Sequence, residues 1–190
     1  MSTIEHAIAS TRLWIEQAVI GLNLCPFVSS IYRQGRVRIV ASEARSYDQA
    51  IASALAEVSH LLETPEQTTA TTLIVYPYIL GDFDAFLDAA YDFEELMIKA
   101  GTEGILQLAT FHPDYLFEDS NPDDPANWTN RSPFPTFHLL REENVSDAID
   151  QHPAPEGIPD RNMALVRSMG LDGLHDLWTE WLEDDHSNQD

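Results

Sequence analysis

The chain has 190 residues, of which 44% are apolar, and its 32 acidic and 10 basic residues give a formal charge of −22. This length is enough for one sizeable core, which favours a single domain over residues 1–182. The charge repels the phosphates of nucleic acids and anionic lipids, so neither is expected as a partner. The single cysteine, Cys25, excludes an intrachain disulfide and a cysteine-clustered zinc site.

The amino-terminal residues have helical spacing rather than the basic and then apolar regions of a signal peptide. No stretch approaches the roughly 18 apolar residues of a membrane span. These patterns predict a soluble, cytoplasmic protein without membrane contact. The last eight residues, 183–190, are acidic and polar and are predicted to form a disordered tail.

Helix and strand patterns alternate through the first part of the chain. A capping box of Ser2 and Glu5 begins the first helix, which is expected to end near Gly21. The pattern then predicts, in order, a strand at 36–41, a helix at 48–63, a strand at 71–77, a helix at 83–100 and a strand at 105–111.

Strands separated by helices in this way predict right-handed crossovers, with the first three strands as parallel neighbours. A fourth strand is predicted at Thr136–Arg141, followed by a short helix that ends at Gly170 and a last helix with an apolar stripe. The expected fold is therefore an α/β domain with a mostly parallel sheet of about four strands and helices packed on it.

The segment 111–142 concentrates the polar groups that chemistry requires. It holds two histidines, two arginines, several aromatic residues and five prolines. Aromatic side chains are costly to leave in water and prolines restrict the chain, so we expect a long ordered loop between strands three and four. The loop leaves the carboxyl end of a strand, where parallel α/β sheets place their ligands.

Four strings of residues resemble one family of bacterial proteins, the domain of unknown function 1415. The strings are GLNLCPF at Gly21–Phe27, FHPDY at Phe111–Tyr115, TNRSPFP at Thr129–Pro135 and HLLRE at His138–Glu142. The resemblance covers most of residues 10–170. It implies a shared architecture and motif set, without a named reaction.

Two histidines and one carboxylate in this segment match the ligand set of some iron(II) sites. His112, Asp114 and His138 are the residue types that bind one face of an octahedral metal ion and leave positions open. Sites of this kind usually lie on all-β barrels, which the predicted elements do not form. The alternative is that both histidines hydrogen-bond to loop backbone.

A thiol beside an imidazole forms a second candidate. If Cys25 lies next to His112, the thiol can ionise and act as a nucleophile, with Asp114 or Asn130 orienting the ring. The alternative is that Cys25 is an inert core residue, largely buried where the first helix meets the sheet.

Arginines form a third candidate, for anion recognition. Arg131, Arg141 and Arg161 offer paired donors that match a carboxylate or phosphate, with Asn130 and Ser132 as neutral contacts. His138 is a further candidate ligand-binding residue. The alternative is that the arginines form internal ion pairs that hold the loop.

The hypothesis that combines these residues is an enzyme for a small anionic metabolite, with its site in the 111–142 loop. Arg131 and Arg141 would bind the anion, and His112 would act as general acid or base. The alternative is a noncatalytic protein that binds a ligand or docks a partner, for which residues 82–190 provide 25 acidic and five basic residues. No cofactor or oligomeric state follows from these patterns. Convergence of His112, Cys25, Arg131 and His138 on one water-accessible pocket would favour the enzyme. Their separation into loop-bracing pairs would favour the binding or structural alternative.

Overall fold

The computed structural model describes residues 1–182 of the chain. The predicted tail at 183–190 lies outside these residues. The helices are α1 (Thr3–Trp14), α2 (Val28–Arg33), α3 (Tyr47–Glu63), α4 (Phe83–Lys99), α5 (Glu142–Gln151) and α6 (Ile158–Leu182). The strands are β1 (Val37–Ala41), β2 (Thr71–Val75), β3 (Leu106–Phe111) and β4 (Thr136–Arg141). A π-helical turn at Ile15–Ile20 continues α1, and short 3-10 helices lie at Pro125–Asn130 and Pro155–Gly157.

The helices begin where side chains satisfy free backbone N–H groups. The predicted capping box is confirmed, since the Ser2 hydroxyl accepts the Glu5 N–H and the Glu5 carboxylate accepts the Ser2 N–H. Asp82 caps α4 in the same way by accepting the N–H of Ala85. Gly170, with φ 70°, interrupts α6, which agrees with the predicted end of one helix at this residue.

The four strands form one mixed sheet in the order β1-β2-β4-β3. Strands β1 and β2 are parallel neighbours, as predicted. The prediction that β3 is the next parallel neighbour is wrong, because β4 lies between β2 and β3 and is antiparallel to both. The expected α/β sheet of four strands is therefore mixed: β1, β2 and β3 run in the same direction, and β4 runs opposite to them and forms two antiparallel pairs.

The burial of the two strands explains why β4 takes the inner position. Phe137 and Leu139 of β4 are fully buried, whereas Gln107 of β3 is exposed. A strand in the middle of a sheet is covered more completely than an edge strand. Residues 112–135 give the chain enough length to reverse direction before β4 begins.

Two helical layers cover the two faces of the sheet. We name each face of the sheet after the helices that cover it. On the α3–α4 face, Ile74, Phe137 and Leu139 pack in the larger core, and on the α1–α6 face, Leu73 packs with Trp14 and Trp181. None of the helices described in residues 1–182 is both long and apolar enough to cross a membrane.

Candidate functional site

The sheet separates the two histidines of the 111–142 segment. Successive side chains of a strand point to opposite faces, so His138 of β4 lies on the α1–α6 face while its neighbours Phe137 and Leu139 enter the other core. His112 follows β3 and packs against the rings of Phe83 and Phe86 of α4, at centroid distances of 5.1 and 4.9 Å. The structure therefore does not bring His112 and His138 together.

His112 is fully buried, and backbone groups engage both of its ring nitrogens. Nε2 lies 3.0 Å from the carbonyl oxygen of Leu80, and Nδ1 accepts the N–H of Asp114 at 3.0 Å. The proton is thus on Nε2, which donates to Leu80. Burial lowers the pKa of His112, so the ring is neutral at pH 7. These contacts match the alternative in which this histidine braces the loop.

His138 keeps one ring nitrogen free of hydrogen bonds to residues 1–182. The Thr71 hydroxyl lies 2.6 Å from Nε2 and donates its single proton to the Leu139 carbonyl, also at 2.6 Å. Nε2 must then carry a proton and donate to Thr71, which leaves the lone pair on Nδ1. Burial lowers the pKa of His138 to about 4. The ring is therefore a neutral hydrogen-bond acceptor.

The proposed metal ligands do not form a cluster. His112 and Asp114 lie beyond the end of β3, and His138 lies on the opposite face of the sheet. Within residues 1–182, no three histidine, cysteine or acidic side chains are grouped so that they could hold a metal ion. The arrangement offers no coordination sphere for the predicted iron site.

Arg131 and its neighbours contact the loop itself. The Arg131 Nε–H donates to the Tyr115 carbonyl at 3.4 Å, and its guanidinium lies 5.0 Å from the ring centre of Trp128. Burial lowers the pKa of Arg131, and the charge of Asp114 acts in the opposite direction. The Ser132 hydroxyl donates to the Phe134 carbonyl at 2.7 Å, and the Asn130 side-chain oxygen accepts the Thr129 hydroxyl at 3.2 Å.

Arg161 supports the Gly21–Phe27 segment. Its guanidinium donates to the backbone carbonyl of Asn23 and, at 2.7 Å, to the side chain of Asn162. Asn162 in turn donates to the Leu24 carbonyl at 2.7 Å. Arg161 and Asn162 thus attach the Gly21–Phe27 segment to the start of α6.

Arg141 contacts backbone at the end of α3. Its Nη2 lies 2.7 Å from the carbonyls of Leu61 and Thr64 and 3.2 Å from that of Thr69. The last carbonyls of a helix lack partners within the helix and carry the negative end of its dipole, so a guanidinium is favourable here. Within residues 1–182, Arg141 forms no ion pair with a carboxylate.

A cavity of about 740 Å³ opens on the α1–α6 face, and Cys25 and His138 both line it. Its floor is the sheet, including Leu73, Ala109 and Leu140. Its walls come from the α1 end, the Gly21–Phe27 segment, α2 and α5, and they include Trp14, Ile15, Phe27, Ile31, Val145 and Ala148. Most of these side chains are apolar.

The charges of the cavity lie at its margins. Arg36 and Glu66 form an ion pair at the end where β1 and β2 begin, and Arg141 lies near them at the end of β4. Asp147 is exposed on α5. The residues that line the floor are uncharged apart from Arg141, so the interior suits an uncharged ligand.

Cys25 is mostly buried, with a smaller part of its surface exposed, which agrees with the predicted burial. Burial raises the pKa of its thiol, and the N–H groups of Phe27 and Val28 only partly offset this effect. Cys25 is therefore a thiol at pH 7. It shares the cavity with His138, and His112, its expected partner, lies against α4 on the other face.

Sequence reasoning missed the α5 wall and Trp14 as cavity residues. Helix α5 (Glu142–Gln151) was not predicted, although Val145 and Ala148 follow helical spacing. His138 offered a usable signal, since it is the polar residue that interrupts the apolar pattern of Phe137, Leu139 and Leu140 in a predicted strand.

Comparison with known proteins gives a family but no activity. A sequence model for a family described as "Protein of unknown function (DUF1415)" matches residues 6–176. No curated protein and no solved structure matches the chain.

Proposed function

We propose that this chain, which belongs to the DUF1415 family of proteins of unknown function, binds a small, uncharged and largely apolar organic molecule in the cavity on the α1–α6 face. One observation carries the proposal: a cavity of about 740 Å³ with mostly apolar walls is lined by His138, whose Nδ1 makes no hydrogen bond to residues 1–182. Small-molecule sites commonly have this size, with apolar linings and a few fixed polar groups.

The polar groups of the cavity indicate what the ligand must offer. His138 is neutral and presents a lone pair, so the complementary ligand group is a hydroxyl or N–H donor. Thr71 fixes the ring from behind through Nε2. An acceptor that no protein group engages can accept a hydrogen bond from a ligand donor without breaking a bond within the protein.

The charge distribution favours an uncharged ligand over the anion expected from the sequence. Arg131, Arg141 and Arg161 all donate to backbone carbonyls. The chain as a whole carries a formal charge of −22, which repels anions in solution. The anionic metabolite remains a sequence prediction, and these contacts give it no support.

A matched pair of fluorescent probes tests the proposal. N-phenyl-1-naphthylamine is uncharged, apolar and carries one N–H donor, and 8-anilinonaphthalene-1-sulfonate has the same body with an added sulfonate. We expect the uncharged probe to bind with increased emission and the sulfonate to bind at least about tenfold more weakly, a difference of about 1.4 kcal/mol. Tighter binding of the sulfonate would contradict the proposal.

Variants locate the probe. Ala109→Phe from the floor and Ala148→Phe from the α5 wall should each fill the cavity and abolish binding. Ala85→Phe on the exposed side of α4 is the matched control and should bind as the parent does. Urea unfolding of each variant confirms that it is folded, and unchanged binding by both folded cavity variants would place the probe elsewhere.

Thiol chemistry of Cys25 on the bound molecule is a second candidate function, which the raised pKa of the thiol disfavours. Cys25 lines the same cavity, and the N–H groups of Phe27 and Val28 act to stabilise a thiolate there. The rate of iodoacetamide labelling between pH 7 and 10 tests this candidate. A nucleophilic role requires labelling at pH 7 at least as fast as in the unfolded chain, whereas an inert thiol reacts more slowly.

A further inference from the structure

Within the described residues 1–182, the edge of β3 leaves the outward peptide groups of Leu108 and Thr110 without hydrogen-bond partners. In an antiparallel pair, hydrogen-bonded and non-hydrogen-bonded residue pairs alternate. The hydrogen bond from the Glu142 N–H to the Ile105 carbonyl shows that these two residues form a hydrogen-bonded pair. Every second residue after Ile105, namely Gln107, Ala109 and Phe111, therefore also hydrogen-bonds to β4. The peptide groups of Leu108 and Thr110 therefore point away from the sheet.

Both ends of this edge are closed by the chain itself. The outward N–H of Leu106 donates to Thr102 O at 3.0 Å, and that of His112 donates to Asn130 O at 3.3 Å. Between them, Leu108 and Thr110 are half-buried, and within residues 1–182 no backbone or side-chain group outside the β3–β4 ladder bonds to them. The gap has the length of a short added strand.

A groove of mixed polarity lies beside this gap. It has a volume of about 360 Å³ and lies between α4 and β3, and its lining includes Leu87, Ala90, Tyr91 and Leu108 together with the polar Thr110, Glu94 and Asn130. Leu87 and Tyr91 are 43% and 64% exposed, and Ile98 extends the same side of α4 at 57%. Alternate side chains of a strand added to β3 would point into this groove.

Acidic side chains border the groove and decide which partner fits it. Asp84, Asp88 and Glu94 are exposed on α4, next to Leu87 and Tyr91 by helical spacing. A second copy paired through β3 would bring these carboxylates against their own symmetry copies, which is unfavourable. A segment with Lys or Arg would be attracted to them.

We infer that the β3 edge and the α4 groove bind an extended, basic segment of a partner protein by strand addition. The backbone of Leu108 and Thr110 supplies the hydrogen bonds, the groove receives alternate apolar side chains, and Asp84, Asp88 and Glu94 attract flanking Lys or Arg residues. The groove shares Ala109 and Phe111 with the lining of the α1–α6 cavity, but the proposed hydrogen bonds use the outer edge of β3, so the inference does not depend on the proposed ligand.

The test uses a fluorescein-labelled peptide with an alternating valine–threonine core and three lysines at each end. Fluorescence anisotropy should show saturable binding to the parent protein, and the same peptide with glutamates for lysines should bind at least about tenfold more weakly, or about 1.4 kcal/mol. Two further peptides carry N-methyl groups on either the valines or the threonines. Because alternate N–H groups of a strand point to the same edge, one of these two peptides should lose binding and the other should retain it.

Protein variants provide the matched comparison. Thr110→Pro removes the outward N–H without breaking a bond to β4, whereas Thr110→Ala keeps that N–H and removes only the side chain. Binding should be lost in the proline variant and retained in the alanine variant. Amide hydrogen exchange at Leu108 and Thr110 should slow when the peptide is added.

Three results would overturn the inference. The first is that the parent protein does not bind the peptide at concentrations up to about 1 mM. The second is that the proline and alanine variants bind the peptide equally well, and the third is that the parent protein binds both N-methylated peptides as well as the unmodified one. Sedimentation equilibrium provides a fourth: a parent dimer that Thr110→Pro dissociates would assign the edge to a second copy of this chain.

Discussion

His112→Phe separates a structural role of this histidine from a role in proton transfer. The phenyl ring can keep the contacts with Phe83 and Phe86 but makes neither hydrogen bond. The carbonyl of Leu80 and the N–H of Asp114 then lose their partner. Leu80 is 6% exposed and has a φ of 64°, an unfavourable value for a leucine that surrounding contacts must hold.

The expected loss follows from these two groups. A buried group left without its hydrogen bond costs about 1–3 kcal/mol, and Asp114 is exposed enough for water to replace part of its bond. We expect His112→Phe to lower the free energy of unfolding by about 2–4 kcal/mol. With a urea slope of about 2 kcal/mol per molar, the unfolding midpoint should fall by about 1–2 M.

Circular dichroism in urea measures this change, and His60→Phe at an exposed position of α3 is the control. The uncharged naphthylamine probe should bind to His112→Phe with unchanged affinity, because the cavity is on the other face of the sheet. A loss of less than about 1 kcal/mol would refute the bracing role. If the variant is stable but no longer binds the probe, His112 contributes to ligand binding.

Three further predictions concern the cavity and the loop. Burial lowers the pKa of His138 from its usual value of 6.5 to about 4, so the unfolded chain binds the proton first and stability should fall as the pH drops from about 6.5 to about 4. The contribution is at most about 3–4 kcal/mol, and His138→Phe should reduce the fall in urea midpoint across that range; an unchanged fall would contradict the assignment. Cys25 should react with iodoacetamide at pH 7.5 more slowly than it does in the unfolded chain. Bound naphthylamine should slow this reaction further, and an unchanged rate in its presence would show that the probe binds outside the cavity. Arg131→Met should cost about 1–2 kcal/mol in urea unfolding and leave probe binding unchanged, since it removes one long hydrogen bond and contact with Trp128 but no ion pair; a loss above about 3 kcal/mol would indicate a buried carboxylate partner.

The elements of this fold were predictable because their signals are local. The capping residues Ser2 and Asp82 and the apolar periodicity of α3 and α4 act within a few residues. The position of β4 was not predictable in this way. It depends on whether β4 or β3 buries more apolar surface between its neighbours, and this comparison involves residues far apart in the chain.

The candidate site was harder to predict than the elements, because residue type does not reveal which groups a side chain must satisfy. In a chain with ten basic residues, three nearby arginines suggested a demand for positive charge. Arg141 instead donates hydrogen bonds to the last carbonyls of α3, and Arg131 and Arg161 donate to carbonyls of irregular segments. Such carbonyls occur wherever a helix or strand ends, so they leave no distinct pattern in the sequence.

His138 differs from these residues because the fold satisfies only half of its hydrogen-bonding capacity. Thr71 accepts a hydrogen bond from Nε2, Nδ1 makes no hydrogen bond to residues 1–182, and His138 lines a cavity whose walls come from segments far apart in sequence, such as Trp14 and Val145. Where His112 has both nitrogens engaged by backbone, the acceptor of His138 would have to find its partner in water or in a ligand. A partly used polar group in an apolar cavity is the feature that distinguishes a binding residue from a bracing one, and it arises from strand alternation and packing rather than from the motif in which the residue occurs.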